Sequence, residues 1–330
     1  MGGSASYAAA LLRRLRNSSV EAAQSKAAEA LGQLASKGAL QRDAVVAAGG
    51  IPALVRCLDS SSRALQYAAA VALSDLVRDS HSNSLQLVQA GAVPAMLRLL
   101  SSGDAKVQMA LGVLANTAGR TPEFAAGFVD QGGIEVLLHA INSASDEHVQ
   151  CTAFAGVAKL CLHSQAAEQA ALRGGAASAA VRALSSGRDT EMLLGATACA
   201  GALPDAGRDV LLAAGAPAAL LRALHVSGGD VRMQAQVAVV LCNLSCNSLP
   251  AKAAITAAGG VQAMVRLLSS SDTEVLRAAA GVLRNLADDA RDPTQQVWLA
   301  GSTSVEVHRV KTSCWTAGVT AACVVASCGG

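Results

Sequence analysis

The residues of this 330-residue chain with the clearest potential for chemistry are two sets of cysteine and histidine. His148, Cys151, Cys161 and His163 carry the ligand types of a zinc quartet, and Cys242 and Cys246 stand one helical turn apart. A structural zinc ion needs four such ligands within bonding distance of one point. On a single helix Cys151 and Cys161 would lie about 15 Å apart at 1.5 Å per residue, too far to share an ion. The Cys242 and Cys246 pair lacks two further ligands. Other reactive patterns are missing too: there is no Gly-x-Ser-x-Gly, no phosphate loop ending in Gly-Lys-Ser/Thr, no His-Glu-x-x-His and no Gly-x-Gly-x-x-Gly after a strand. The chain is therefore expected to have no enzyme activity, no cofactor and no metal.

The composition explains what the elements must be. Aromatic residues are only 2% of a chain that is 52% hydrophobic, and alanine makes up the difference. Alanine is the best helix former and a poor strand former, so with only 7 prolines the chain is expected to be almost wholly helical. A core of such small side chains buries little area per residue and must draw stability from many repeated contacts. The 26 basic and 24 acidic residues are mixed along the sequence, which leaves no electrostatic footprint for nucleic acid. The nine cysteines stand at irregular positions, as small buried hydrophobes of a reducing compartment do. No apolar run reaches the roughly 18–20 residues of a bilayer span. A soluble, cytoplasmic monomer is expected, with nuclear or peripheral membrane placement as alternatives.

Self-similarity organises the rest. A small pair recurs just before a short apolar helix: Gly49-Gly50, Gly91-Ala92, Gly132-Gly133, Gly174-Gly175, Gly215-Ala216 and Gly259-Gly260. Taken at the second residue of each pair, the spacings are 42, 41, 42, 41 and 44. That period matches helical solenoid units of roughly 40–47 residues. Each unit reads as three helices. A short apolar helix is stopped by glycine, a second begins near Pro52 or Pro94, and a Ser/Asp/Gly turn leads into a longer third helix. Ser271-Asp-Thr-Glu274 has the form of a capping box for the last of these. A basic position recurs on the second helices as Arg56, Arg98, His139, Arg182, Arg222 and Arg266. It suits either a ladder read by a partner or, the favoured reading, the solvated edge of amphipathic helices.

Phrases such as Gly-Gly-Ile-Pro-Ala-Leu-Val-Arg-Cys-Leu58 and Ala-Gly-Val-Leu-Arg-Asn-Leu-Ala287 closely resemble the armadillo-repeat family, particularly its plant and algal members, over about residues 8 to 301. The resemblance implies an all-α, right-handed superhelical solenoid with about six full repeats and partial terminal ones. It implies a protein–protein scaffold or adaptor that holds a partner segment in a concave groove lined by the third helices. An asparagine late in the third helix typically binds the backbone of an extended peptide, and Asn116, Asn243 and Asn285 match it. Gln33, Asp75 and Lys159 replace it in other units and Gly201 abandons it. The implied groove is lined by Asp75, Gln108, Asn116, Lys159, Asn243, Arg277 and Asn285. Import receptors place a tryptophan one turn before the asparagine. Gly112, Val239 and Gly281 stand there instead, so recognition of a nuclear localisation signal is not expected.

Two alternatives follow from the same resemblance: the substrate-recognition region of a U-box-type ubiquitin ligase pathway, or a membrane-associated adaptor. The latter rests on Met1-Gly2-Gly3-Ser4-Ala5-Ser6, which matches the myristoylation pattern with Gly2 as acceptor. The acid-free residues before Glu21 also permit a transit peptide. The expected organisation is a partial capping repeat over 1–37, six repeats over 38–289, the start of another over 290–301 and a disordered, non-repeat tail over 302–330. The register breaks abruptly after Gly301, as at a misjoined reading frame.

Overall fold

The computed structural model describes residues 2–100, 104–118, 121–203 and 207–287; the expected further repeat at 290–301 and the tail at 302–330 lie outside these residues. All regular structure among the described residues is helical. The described residues divide into two compact units, with the boundary between Ala179 and Ala180.

Unit 1 opens with α1 (Gly2–Asn17) and α2 (Glu21–Ser36). Within the partial capping repeat expected over 1–37, α1 takes the place of a second helix and α2 that of a third, and Ala8 to Leu12 give α1 a run of good helix formers. Three triplets follow. The first is α3 (Ala39–Ala47), α4 (Gly50–Cys57) and α5 (Arg63–Val77); the second is α6 (His81–Gln89), α7 (Ala92–Leu100) and α8 (Ala105–Ala118). The third is α9 (Pro122–Asp130), α10 (Gly133–Ser143) and α11 (Glu147–His163), after which α12 (Gln165–Arg173) and the start of α13 (Ala176–Ser186) complete the unit. Unit 2 holds the rest of α13, then α14 (Thr190–Gly201), α15 (Arg208–Ala213), α16 (Ala216–Val226), α17 (Val231–Ser245), α18 (Leu249–Ala257), α19 (Gly260–Leu267) and α20 (Thr273–Ala287).

The turn between the first and second helix of every triplet needs a left-handed residue, and glycine supplies it at Gly49, Gly91, Gly132, Gly175, Gly215 and Gly259, with φ between 75° and 85°. In the fourth triplet the left-handed residue is the second glycine of Gly174-Gly175. The equivalent of Gly50 is therefore Ala176, one residue later than the sequence pairs suggest. Helix starts are capped by short side chains: Ser80, Ser164 and Ser248 start first helices, and Asp146, Asp189 and Asp230 start third helices. The expected capping box at Ser271 is replaced by its neighbour. Asp272 Oδ1 accepts from the Glu274 and Val275 amides at 2.9 and 3.0 Å, because α20 begins at Thr273 and not one residue earlier.

Third helices pack on third helices, α2 on α5, α5 on α8 and α8 on α11 in unit 1, and α14 on α17 and α17 on α20 in unit 2. Small residues let them approach. A Cβ on Gly32 would stand 3.1 Å from the Ala72 Cα, and one on Gly112 would stand 2.9 Å from the Thr152 Cβ. The cores are filled mainly by alanine, leucine and valine, with Phe124, Phe128 and Phe154 the buried aromatics among the described residues.

Candidate functional site

The third helices carry the residues singled out from sequence, and their surroundings differ sharply. On α5, Asp75 is held by Arg78 Nη2 at 2.5 Å. Its pKa is nevertheless raised from the ordinary aspartate value, because burial outweighs the pull of Arg78 and Arg42. Lys159 on α11 is half-buried, and among the described residues its ammonium has no ionic partner. Arg277 on α20 is exposed in the same condition.

Asn243 on α17 is exposed, whereas Asn285 on α20 is buried. Asn285 Nδ2 donates to the Cys242 carbonyl and to Ser245 Oγ, both at 3.1 Å, and its Oδ1 accepts from Arg284 Nη2 at 3.2 Å. It braces the end of the preceding third helix. One side chain of the pair is engaged and the other is open to a ligand.

Gln108 belongs to a set that sequence reasoning missed. Its Nε2 donates to the Leu100 carbonyl at 2.7 Å, tying the start of α8 to the end of α7. Gln24, Gln66, Gln150 and Gln234 make the corresponding bond to Ser18, Ser60, Ala144 and Gly229. Successive members lie 42 residues apart, with Met192 at the one skipped position. That strict recurrence was the available signal. The Gln66 to Gln108 register also sets Thr117, one residue after Asn116, level with Asp75, Lys159, Asn243 and Asn285. The same offset sets Val113, and not Gly112, one turn earlier.

In unit 1 the row one turn before these positions is apolar: Val71 and Val113 are exposed at 38% and 41%, and Ala155 is half-buried. In unit 2 a cleft of about 510 Å³ opens between α14 and α17, lined by Gly201, Val240, Asn243 and Asn247, with Arg208 beside it. Gly201 stands where the other third helices carry a side chain, and its absence there opens the cleft.

The family profile of the armadillo/beta-catenin-like repeat matches residues 39–78, 80–116 and 249–288. An engineered protein of known crystal structure is 30% identical, with a TM-score of 0.81 over 90% of this chain and 72% of that one. This chain belongs to the armadillo-repeat family. A designed armadillo repeat protein matches at 20% identity and a TM-score of 0.59, over 84% of this chain and 99% of its own. Another, solved in complex with the peptide (KR)4, matches at 19% and 0.57, over 84% and 98%. The search of curated proteins returns no match.

Within the armadillo repeats the cysteines are placed for packing. His148, Cys151, Cys161 and His163 all lie on α11, spread along its length. Burial, reinforced by Glu168, pushes the Cys161 thiol up to about 12, so it stays protonated and unreactive at neutral pH. Among the described residues no three His, Cys, Asp or Glu side chains come together to hold a metal ion, and no helix is long and apolar enough to cross a membrane. Gly2 is the first residue of α1.

The basic positions on the second helices have several fates. Arg98 is ion-paired with Asp59, and Arg222 Nη1 donates to the Leu184 and Gly187 carbonyls at 2.9 and 3.1 Å. Arg56, His139, Arg182 and Arg266 are exposed.

Proposed function

We propose that this armadillo-repeat chain is a binding scaffold, not a catalyst, and that it holds an extended segment of a partner protein across its third helices. The observation that carries this reading is the exposed Asn243 amide at the mouth of the α14–α17 cleft. An amide offers a donor and an acceptor together, which is what a peptide unit requires. The adjoining cleft, walled by Val240 and floored by Gly201, gives room for one side chain of that segment. In unit 1 the exposed Val71 and Val113, flanked by Asp75 and Lys159, offer a mixed apolar and charged strip of the same kind. The even mixture of charge favours a protein segment over nucleic acid.

Peptide libraries displayed on phage and panned on the whole chain test this. Selected peptides are expected to lose about tenfold in affinity on Asn243→Ala, the effect of removing a paired donor and acceptor. They should also protect the α17 amides from hydrogen exchange. Peptides that bind Asn243→Ala as tightly as the native chain, with no protection in α17, would sink the reading.

A further inference from the structure

Two clefts lie away from the third-helix row, each between consecutive second helices. In unit 1, α1 and α4 enclose about 450 Å³ lined by Arg16, Gln24, Ala53, Arg56 and Ser60. In unit 2, α16 and α19 enclose about 640 Å³ lined by Arg222, His225, Gln234, Ala263 and Arg266. The two are built from equivalent positions: Gln24 and Gln234, Ala53 and Ala263, and Arg56 and Arg266 are each 210 residues apart, five periods of 42. Neither cleft is lined by a carboxylate. Arg56 and Arg266 are exposed, and among the described residues their side chains have neither an ionic nor a hydrogen-bonding partner.

The chain itself shows what such an arginine takes. Arg98, the equivalent residue on α7, is neutralised by Asp59, which lies 39 residues before it at the end of the preceding second helix. The residues 39 before Arg56 and Arg266 are Asn17 and Ser227, which carry no charge. The same arginine position is thus closed by an internal carboxylate in one place and left open in two.

We propose that the Arg56 and Arg266 clefts each bind a carboxylate side chain of an acidic partner segment, which supplies from outside the charge that Asp59 supplies from within. The apolar walls, Leu15 and Ala53 in one cleft and Ala218 and Ala263 in the other, accept the methylene stem. This surface is separate from the third-helix row and operates whether or not that row holds a peptide.

Fluorescein-labelled hexaglutamate, titrated against the full chain at low ionic strength and read by anisotropy, tests the proposal. Two double variants are compared, Arg56→Gln with Arg266→Gln, and Asn17→Asp with Ser227→Asp. The first removes the cations. The second keeps them and installs the internal carboxylate. Both should weaken hexaglutamate at least fivefold while circular dichroism stays unchanged, and Arg98→Gln should leave binding within twofold. The proposal is overturned if hexaglutamine binds as well as hexaglutamate, or if both double variants bind like the native chain. Stronger displacement by inorganic phosphate than by chloride at equal ionic strength would also overturn it, by assigning the clefts to phosphate.

Discussion

Asn285 Nδ2 on α20 lies 3.1 Å from the carbonyl oxygen of Cys242 on α17, so a residue of the expected peptide-binding row serves instead as a clamp between two third helices. Its counterpart Asn243 makes no such clamp. The reason is the neighbour: Asn285 meets the Ser245 hydroxyl, and the residue one period before Ser245 is Leu203, which offers none.

The two asparagines should therefore separate in stability measurements. Asn285→Ala removes the bonds that tie α20 to α17, although the Cys242 carbonyl keeps the Ser245 hydroxyl as a donor at 2.9 Å, so the cost should be about 1–1.5 kcal/mol. Asn243→Ala, at an exposed site, should stay within about 0.5 kcal/mol. Urea titration followed by circular dichroism gives both numbers. Equal midpoints for the two variants would contradict the clamp.

The glutamine set makes a parallel claim about the turns between second and third helices. Gln66 is 6% exposed, and its Nε2 bond to the Ser60 carbonyl closes the turn ahead of α5. Gln66→Ala should lower stability by about 1–2 kcal/mol, and amide exchange should rise first at Ser62 to Leu65. Gln234, half-buried with a longer bond of 3.4 Å, should lose less on the same substitution.

Asp75 yields a pH dependence whose sign is opposite to that of an ordinary ion pair. Its pKa is raised in the folded state, so the protonated form is the one that folding favours. The stability tied to that proton is present below the ordinary value of 3.8 and is lost as pH rises through the folded value. Asp75→Asn should accordingly match or exceed the native chain in urea midpoint at pH 7, although it breaks the contact with Arg78, and the difference should vanish near pH 3. A clear loss at pH 7 would show that Arg78 outweighs burial.

The three-helix unit was legible because the left-handed turn accepts little besides glycine, and a conformational demand of that kind leaves a mark at every repeat. Gly174-Gly175 misled by one residue for the same reason: two adjacent glycines satisfy the pattern equally, and only the backbone shows which takes positive φ. The site was less legible. Whether Asn243 and Asn285 face a ligand or a neighbouring helix depends on residues one period away, Leu203 and Ser245, which a pattern confined to one unit does not weigh. The side chain of Asn116 lies outside the described residues.

A last relationship recurs often enough to predict both a defect and its repair. The residue after each left-handed glycine is Gly50, Ala92, Gly133, Ala176, Ala216 or Gly260, and five residues earlier stand Val45, Leu87, Phe128, Ala171, Leu211 and Ile255. Glycine goes with the β-branched and aromatic residues, and alanine goes with leucine or alanine. The geometry explains the pairing. A Cβ on Gly50 would sit 2.6 Å from Val45 Cγ1, one on Gly260 would sit 2.4 Å from Ile255 Cγ2, and one on Gly133 would sit 2.0 Å from the Phe128 ring, with the carbonyl oxygens of the same three residues next at 2.8, 2.8 and 2.6 Å. The branch at Cβ or the ring is the nearest obstacle to the methyl group of alanine, and the carbonyl oxygen of the same residue is the second. Gly50→Ala should thus cost about 1–3 kcal/mol through overpacking. Val45→Leu adds one methylene at a fully buried position and should by itself cost about 1–3 kcal/mol. Combining them recreates the Leu87 and Ala92 pair, so the double variant should cost less than the sum of the two single ones, with a favourable coupling energy of at least about 1 kcal/mol in the mutant cycle. Strict additivity of the two substitutions would show that Val45 is not what excludes the methyl group.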